Sequence, residues 1–178
     1  MKTTGTVYWV TGLSGAGKTT LATALVEKLK TTGKSPIFLD GDVMRDIFDT
    51  TKNLSQDERF LLSKKYAKLC QTLANQGFHV VCATISLFHE TQAWNRTHIT
   101  HYIEIFLQVP LTELKRRDTK AIYAKHTAGE ISNVVGIDIP AEFPKQPDIL
   151  IDFNDGLSIN ETVNQIISLG DSHESSCL

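Results

Sequence analysis

Gly12-Leu13-Ser14-Gly15-Ala16-Gly17-Lys18-Thr19-Thr20 sets a lysine and two hydroxyls directly behind three glycines. Glycines let successive backbone N–H groups turn inward around a phosphate, at the positive end of a following helix. The pattern is Walker A: glycine, four residues, then Gly-Lys-Thr. It predicts that Lys18 bridges the β- and γ-phosphates of a nucleoside triphosphate and that Thr19 ligates Mg²⁺. Ser14, Gly15, Ala16, Gly17 and Thr20 complete the cradle, and no guanine-reading NKxD run is present.

Two further groups suit phosphoryl transfer. Asp40 and Asp42 stand in "LDGDVMR". One carboxylate there can orient metal-bound water while the other accepts a proton from an attacking hydroxyl. Turn and helix-cap chemistry favours the same residues, so a purely structural "DGD" stays open. "LKRRDTK" followed by Lys125 is the one dense basic cluster. Phosphate clamping needs such a cluster, although charge runs more often mark a solvated helix face. His98 and His101 sit one helical turn apart with no second acidic or thiol cluster, which argues against a metal site.

These groups require a scaffold that delivers them to one edge. Strand-like runs at 6–10, 36–40, 79–85, 102–109 and 148–153 alternate with helical patterns, the signature of a parallel α/β sheet. The segments 6–10 and 79–85 are almost continuously apolar, as strands covered on both faces should be. "YIEIFLQV" alternates more and is expected nearer an edge. Residues 18–30 read as a helix stopped by Gly33. Ser55–Glu58 and Ser158–Glu161 are capping boxes. The first opens a helix with Leu62, Tyr66, Leu69, Cys70 and Leu73 on one face and Gly77 at its end. The second opens a helix expected to close at Gly170.

Bulk properties narrow the class. The 178 residues are 41% hydrophobic and 21% charged, with mean hydropathy −0.12, net charge −2 and pI near 6.3. No basic field draws the chain to nucleic acid or membrane, so an anionic ligand must be held locally. Cys70, Cys82 and Cys177 are odd in number and unpaired in spacing, as free thiols in a reducing cytoplasm would be. The reading is a single domain over 1–170, with 171–178 as a disordered tail. Neither a signal peptide nor a run of transmembrane length is expected.

Taken together, "TGLSGAGKTT", "LDGD..R", "TIS.F", "RRD.KAIY.K", "AGEI", "GID" and "P..PD" resemble the adenylylsulfate (APS) kinases in order and spacing from residue 6 to 153. The resemblance implies a P-loop kinase three-layer sandwich: a parallel sheet of about five strands with helices on both faces. It implies transfer of the ATP γ-phosphate, with Mg²⁺, to the 3′-hydroxyl of a nucleotide's ribose, and it allows a homodimer. Lys18, Asp40 and Asp42 become catalytic, Asp42 as the base. Arg116, Arg117, Asp118, Lys120 and Lys125 fall in a lid around 112–130, with Arg116 and Lys120 toward ATP. Asp42, Arg45, Arg59, Ile85, Ser86, Leu87, Lys125, Gly136 and Ile137 match acceptor positions, and Ser86 matches a serine phosphorylated in some members.

The match breaks where the acceptor base would lie. Family members carry phenylalanine at the positions of Leu54 and Val134, sandwiching adenine, and asparagine at that of Leu62; Val135 and His89 also depart. Base–aromatic stacking contributes roughly 1–3 kcal/mol per ring, so losing two rings removes about 2–6 kcal/mol. At about 1.4 kcal/mol per tenfold, that weakens APS as the acceptor. A smaller base between aliphatic walls is a physical solution. "TISLF…NR" and "NVVGID" look like the branch that phosphorylates cytidine diphosphoramidate, so a cytidine diphosphate derivative is expected, with APS as the alternative. A non-catalytic ATP-binding module and a nucleic-acid kinase are the alternatives of other classes. "ISNVVGIDIP" (131–140) thereby poses a specific question, namely whether its valine pair faces the acceptor base together with Leu54.

Overall fold

The computed structural model describes residues 4–50 and 53–175; Cys177 lies outside the described residues. Five strands, β1 (Val7–Thr11), β2 (Ile37–Asp40), β3 (Val80–Ala83), β4 (Tyr102–Gln108) and β5 (Ile149–Asp152), form one parallel sheet in the order β2-β3-β1-β4-β5. Every junction is parallel, so each connection must cross a face, and the helical segments supply those crossings.

The period-two alternation of β1 sorts the core. Tyr8 and Val10 point to one side, where they pack with Leu25 and Leu29 of α1 (Lys18–Thr31) and with Val163 and Ile166 of α7 (Ile159–Ser175). Val7 and Trp9 point to the other, against Leu62, Tyr66 and Cys70 of α3 (Gln56–Ala74). Ser55 and Glu58 form the expected capping box, with the Ser55 hydroxyl accepting the Glu58 N–H. The expected three-layer α/β architecture is the one observed.

Two details differ from the sequence reading. β4 is interior, paired with both β1 and β5. Its polar Glu104 is 2% exposed and is held from within: Arg96 of α4 (His89–His98) donates to it at 3.0 Å and the Tyr102 hydroxyl at 3.2 Å. Alternation there reports a buried ion pair, not solvent. The second difference is Gly170, which does not end α7; the helix continues to Ser175, into the stretch expected to be disordered. A Cβ at Gly170 would lie 2.4 Å from the Tyr8 hydroxyl oxygen, so this glycine serves close packing instead of termination.

Candidate active site

Parallel topology brings the C-terminal ends of β1, β2 and β3 together, where ligands bind in such sheets. The loop after β1 turns through Gly15 (φ 79°) and Gly17 (φ 96°) into α1. Gly17 caps α1 without a side-chain partner, leaving the first-turn N–H groups for a ligand. Lys18 folds into this cradle, its Nζ donating to the Leu13 carbonyl at 2.8 Å. Burial first, and the neighbouring Lys120 second, lower its pKa to about 7. An ammonium so desolvated gains most when a polyphosphate arrives. Thr20 follows in the first turn, exposed.

Across the site, β2 ends at Asp40, whose side chain does two jobs. Oδ2 accepts the Thr19 hydroxyl at 2.8 Å, while Oδ1 accepts the Asp42 N–H at 2.8 Å and so caps α2 (Gly41–Ile47). The helix-cap reading of "DGD" therefore holds for Asp40, which also touches the Walker threonine. Thr19 and Asp40 together offer hard oxygen donors, and the described residues contain no cluster of three His, Cys, Asp or Glu side chains. That donor set suits Mg²⁺, which is held by few protein oxygens plus phosphates. Asp42 forms ion pairs with Arg45, one turn on, and with Lys120.

Lys120 arrives from the lid, which is built as α5 (Leu111–Arg117), a four-residue turn and α6 (Ile122–Thr127). The Asp118 carboxylate starts α6 by accepting the N–H groups of Tyr123 and Ala124 at 3.1 and 2.8 Å. Tyr123 is buried and its hydroxyl donates to the Ser14 carbonyl at 2.8 Å, tying the lid to the phosphate loop. Arg116 does not face that loop here. It and Arg117 both pair with Glu113, holding that carboxyl down at about 2. Arg117 also lies over the Phe153 ring at 5.0 Å. Lys125 is exposed on α6 and away from the acceptor cavity.

Beside Asp42 lies a cavity of about 30 Å³ whose lining includes Arg45, Arg59, Leu54, Ser86 and Val135. Ile85 and Leu87 line it too, as expected, and Leu62, Tyr66, Thr84 and Phe88 complete the wall. Sequence reasoning had placed Leu62 and Tyr66 on the inward face of α3, which is the signal that finds them; Thr84 and Phe88 carried none. Arg59 donates to the carbonyls of Leu54 and Asn133, each at 3.0 Å, and has no carboxylate partner among the described residues. Burial, then Arg45, lower its pKa. Two guanidiniums, one of them without a counter-anion, make this end of the cavity a place for an anion. The Ser86 hydroxyl bonds Thr84 Oγ1 at 2.8 Å.

Besides Asp42 and Lys125, three expected acceptor residues do not line this cavity. Val134 is buried in the core on the α1 side and does not line the cavity. Gly136 and Ile137 line instead a larger cleft of about 880 Å³ between the ends of β4 and β5 and the 136–147 segment. Ile137, Asp138 and Ile139 N–H groups all converge on the Val134 carbonyl, and the tight turn they close carries the chain from Val135 at the cavity to Gly136 and Ile137 at the cleft. Trp94 also stays out of the cavity, stacking on His98 with ring centroids 4.4 Å apart.

A family model for adenylylsulphate kinase matches residues 4–152. The chain belongs to the adenylylsulfate kinase family. It is 39% identical over 167 residues to the cytidine diphosphoramidate kinase of Campylobacter jejuni, covering 94% of this chain and 97% of that one. It is 40% identical over 148 residues to the adenylyl-sulfate kinase of Pseudomonas aeruginosa, covering 82% and 76%. Among solved structures, the Mycobacterium tuberculosis APS kinase in complex with AMPPNP and APS superposes with a TM-score of 0.85 at 34% identity, over 93% of this chain and 97% of that one. This member of the family is thus an ATP-dependent kinase, a phosphotransferase. None of its described helices is long and apolar enough to cross a membrane.

Proposed function

We propose that this kinase transfers the ATP γ-phosphate to the 3′-hydroxyl of a nucleotide ribose, and that the acceptor is a cytidine diphosphate derivative such as cytidine diphosphoramidate. The observation that carries the acceptor is the cavity wall: Leu54, Leu62 and Val135 present branched aliphatic carbons beside Arg45 and Arg59. Such a wall suits a small base with an anionic tail better than a purine that needs ring stacking. Similarity to the Campylobacter enzyme points the same way.

In this reading the loop from Gly12 to Thr19 holds the donor phosphates, and Lys18 regains its full charge against them. Mg²⁺, held at Thr19 and Asp40 together with ATP, would neutralise charge on the β- and γ-phosphates. Arg45 and Arg59 orient the acceptor's phosphates. Asp42 accepts the proton of the attacking hydroxyl, which requires Lys120 to leave it. Lys120 is free to do so toward the transferring phosphoryl group, where its charge stabilises the transition state. APS itself is the second reading, favoured by the adenylyl-sulfate kinases at comparable identity.

Steady-state kinetics with purified protein, ATP and Mg²⁺ decide between them. The first reading expects cytidine diphosphate derivatives to show a kcat/KM at least about tenfold above that of APS, a gap of about 1.4 kcal/mol. A higher value for APS overturns it, and phosphate position in the product is read by NMR.

A further inference from the structure

His126 and Asp138 connect the lid to the acceptor loop, and neither belongs to the machinery assigned above. His126 Nε2 lies 2.7 Å from Asp138 Oδ1. The other carboxylate oxygen, Oδ2, accepts the Val134 N–H at 3.2 Å. These contacts hold the Asp138 carboxyl below its ordinary range, His126 contributing most.

The loop that Asp138 holds is a compact unit. Besides the three N–H groups converging on Val134, the Gly136 N–H donates to the Ile139 carbonyl at 2.8 Å, closing 134–139 on itself. Gly136 at φ 89° presses on Leu13 of the phosphate loop, where an added Cβ would meet the Leu13 side chain at 2.9 Å. Val135 is part of this hydrogen-bonded unit. Just ahead of it, the Asn133 carbonyl receives Arg59.

Space forces the question of movement. A cavity of about 30 Å³ holds roughly one water. No nucleotide base enters it until a wall is displaced, and Val135 belongs to the one wall that is a loop fastened to the lid. Helix α6 makes three such fastenings at once: Tyr123 to Ser14, Lys120 just ahead of it to Asp42, and His126 to Asp138. The first two report the donor site and the base. The third reaches the acceptor wall.

We propose that His126 is a positioning residue whose clasp on Asp138 couples closure of the lid over ATP to closure of the 133–139 loop over the acceptor. This rests on the kinase reading, with the donor on the phosphate loop and the acceptor beside Arg45 and Arg59. Coupling of this kind is reciprocal, so a bound donor tightens the acceptor site and a bound acceptor steadies the lid. A side chain that only decorates the surface of α6 would do neither.

The test uses the full-length protein with His126→Ala and His126→Gln, the latter placing an N–H donor near the position of Nε2. In His126→Ala the acceptor KM rises about three- to tenfold, the effect of one lost hydrogen bond, with kcat and the affinity for ATP measured without acceptor within about twofold of wild type. His126→Gln restores the acceptor KM. Hydrogen exchange supplies a readout that needs no acceptor: AMPPNP slows exchange of the 133–139 amides in wild type and in His126→Gln, but not in His126→Ala. An unchanged acceptor KM in His126→Ala overturns the clasp, as does AMPPNP protection that survives the alanine substitution. Loss of ATP binding in both variants also overturns it, because the role would then be structural. If wild type phosphorylates no nucleotide offered, the acceptor reading fails, and the exchange measurement still decides the clasp.

Discussion

Lys120, in the turn between α5 and α6, is ion-paired with Asp42 of α2, 78 residues away in sequence. Arg45 covers the other carboxylate oxygen of the same group. The Asp42 carboxylate is therefore engaged on both sides, and under the proposed mechanism turnover begins with Lys120 changing partner from carboxylate to phosphate.

That exchange predicts different outcomes for its two ends. Asp42→Ala should lower kcat by about 10²- to 10⁴-fold, the usual range for a general base, while ATP affinity stays near wild type. Lys120→Ala uncovers the base but removes a transition-state cation, so kcat falls by about tenfold or more. ADP release under saturating substrates measures both, and a fully active Asp42→Ala variant would remove that residue as base.

Lys18 gives a pH signature. Its pKa near 7 in the free protein lies below the ordinary lysine value of 10.5, so between those two pH values the folded chain binds one proton fewer than the unfolded chain. Stability attributable to Lys18 therefore rises with pH from about 7 upward and is flat below that. Phosphates restore the charged form, so ATP binding at pH 8 takes up close to one proton, and at pH 6 almost none. Calorimetry in buffers of different ionisation enthalpy reads this directly. Equal uptake at both pH values would contradict the depressed pKa.

Leu54 lines the cavity proposed for the acceptor base. Leu54→Phe places a ring at the cavity wall, and one base–aromatic stack is worth about 1–3 kcal/mol. The ratio of kcat/KM for APS over a cytidine diphosphate derivative should rise about tenfold. Val134→Phe is expected to act differently, because Val134, buried like Leu54, does not line the cavity: an enlarged side chain there only overpacks the α1 side and costs about 1–3 kcal/mol of stability. Chemical denaturation alongside kinetics separates the two effects.

What could be read from the residues alone follows a physical division. Continuous apolar runs, glycine punctuation and two capping boxes are local signals, and the sheet, α1, α3 and the phosphate loop were legible from them. Lys18, Thr19, Asp40 and Asp42 were legible because their chemistry needs adjacent residues of fixed type. The acceptor wall was less so. Val134 and Val135 are neighbours with the same side chain, and only the turn closing on the Val134 carbonyl decides which one faces the cavity. The His126–Asp138 contact and the pairing of Lys120 with Asp42 join segments whose distance is set by tertiary packing, and neither leaves a periodic trace. Glu104 misled for a related reason: a buried carboxylate and an exposed one look alike until the arginine that meets it is known.

That arginine supports a final prediction. Glu104 is 2% exposed, its pKa raised first by burial and held back by Arg96, which also pairs with Asp148. Removing one partner of a buried pair costs about 3–5 kcal/mol. Arg96 is 37% exposed, so solvent screens part of the interaction, and Arg96→Ala should destabilise the protein at pH 7.5 by less than that, about 2–3 kcal/mol. Without Arg96 the Glu104 pKa climbs further. Where the folded pKa exceeds the unfolded value, the folded chain binds the extra proton and stability falls as pH rises through that window. The penalty of Arg96→Ala should therefore shrink as pH is lowered toward 5, where Glu104 takes a proton and no longer needs a cation. Urea midpoints of wild type and variant between pH 5 and 8 measure it, and a penalty independent of pH would show that Arg96 acts through Asp148, the Gln146 carbonyl and packing over Tyr102, 5.5 Å from its guanidinium, and not through Glu104.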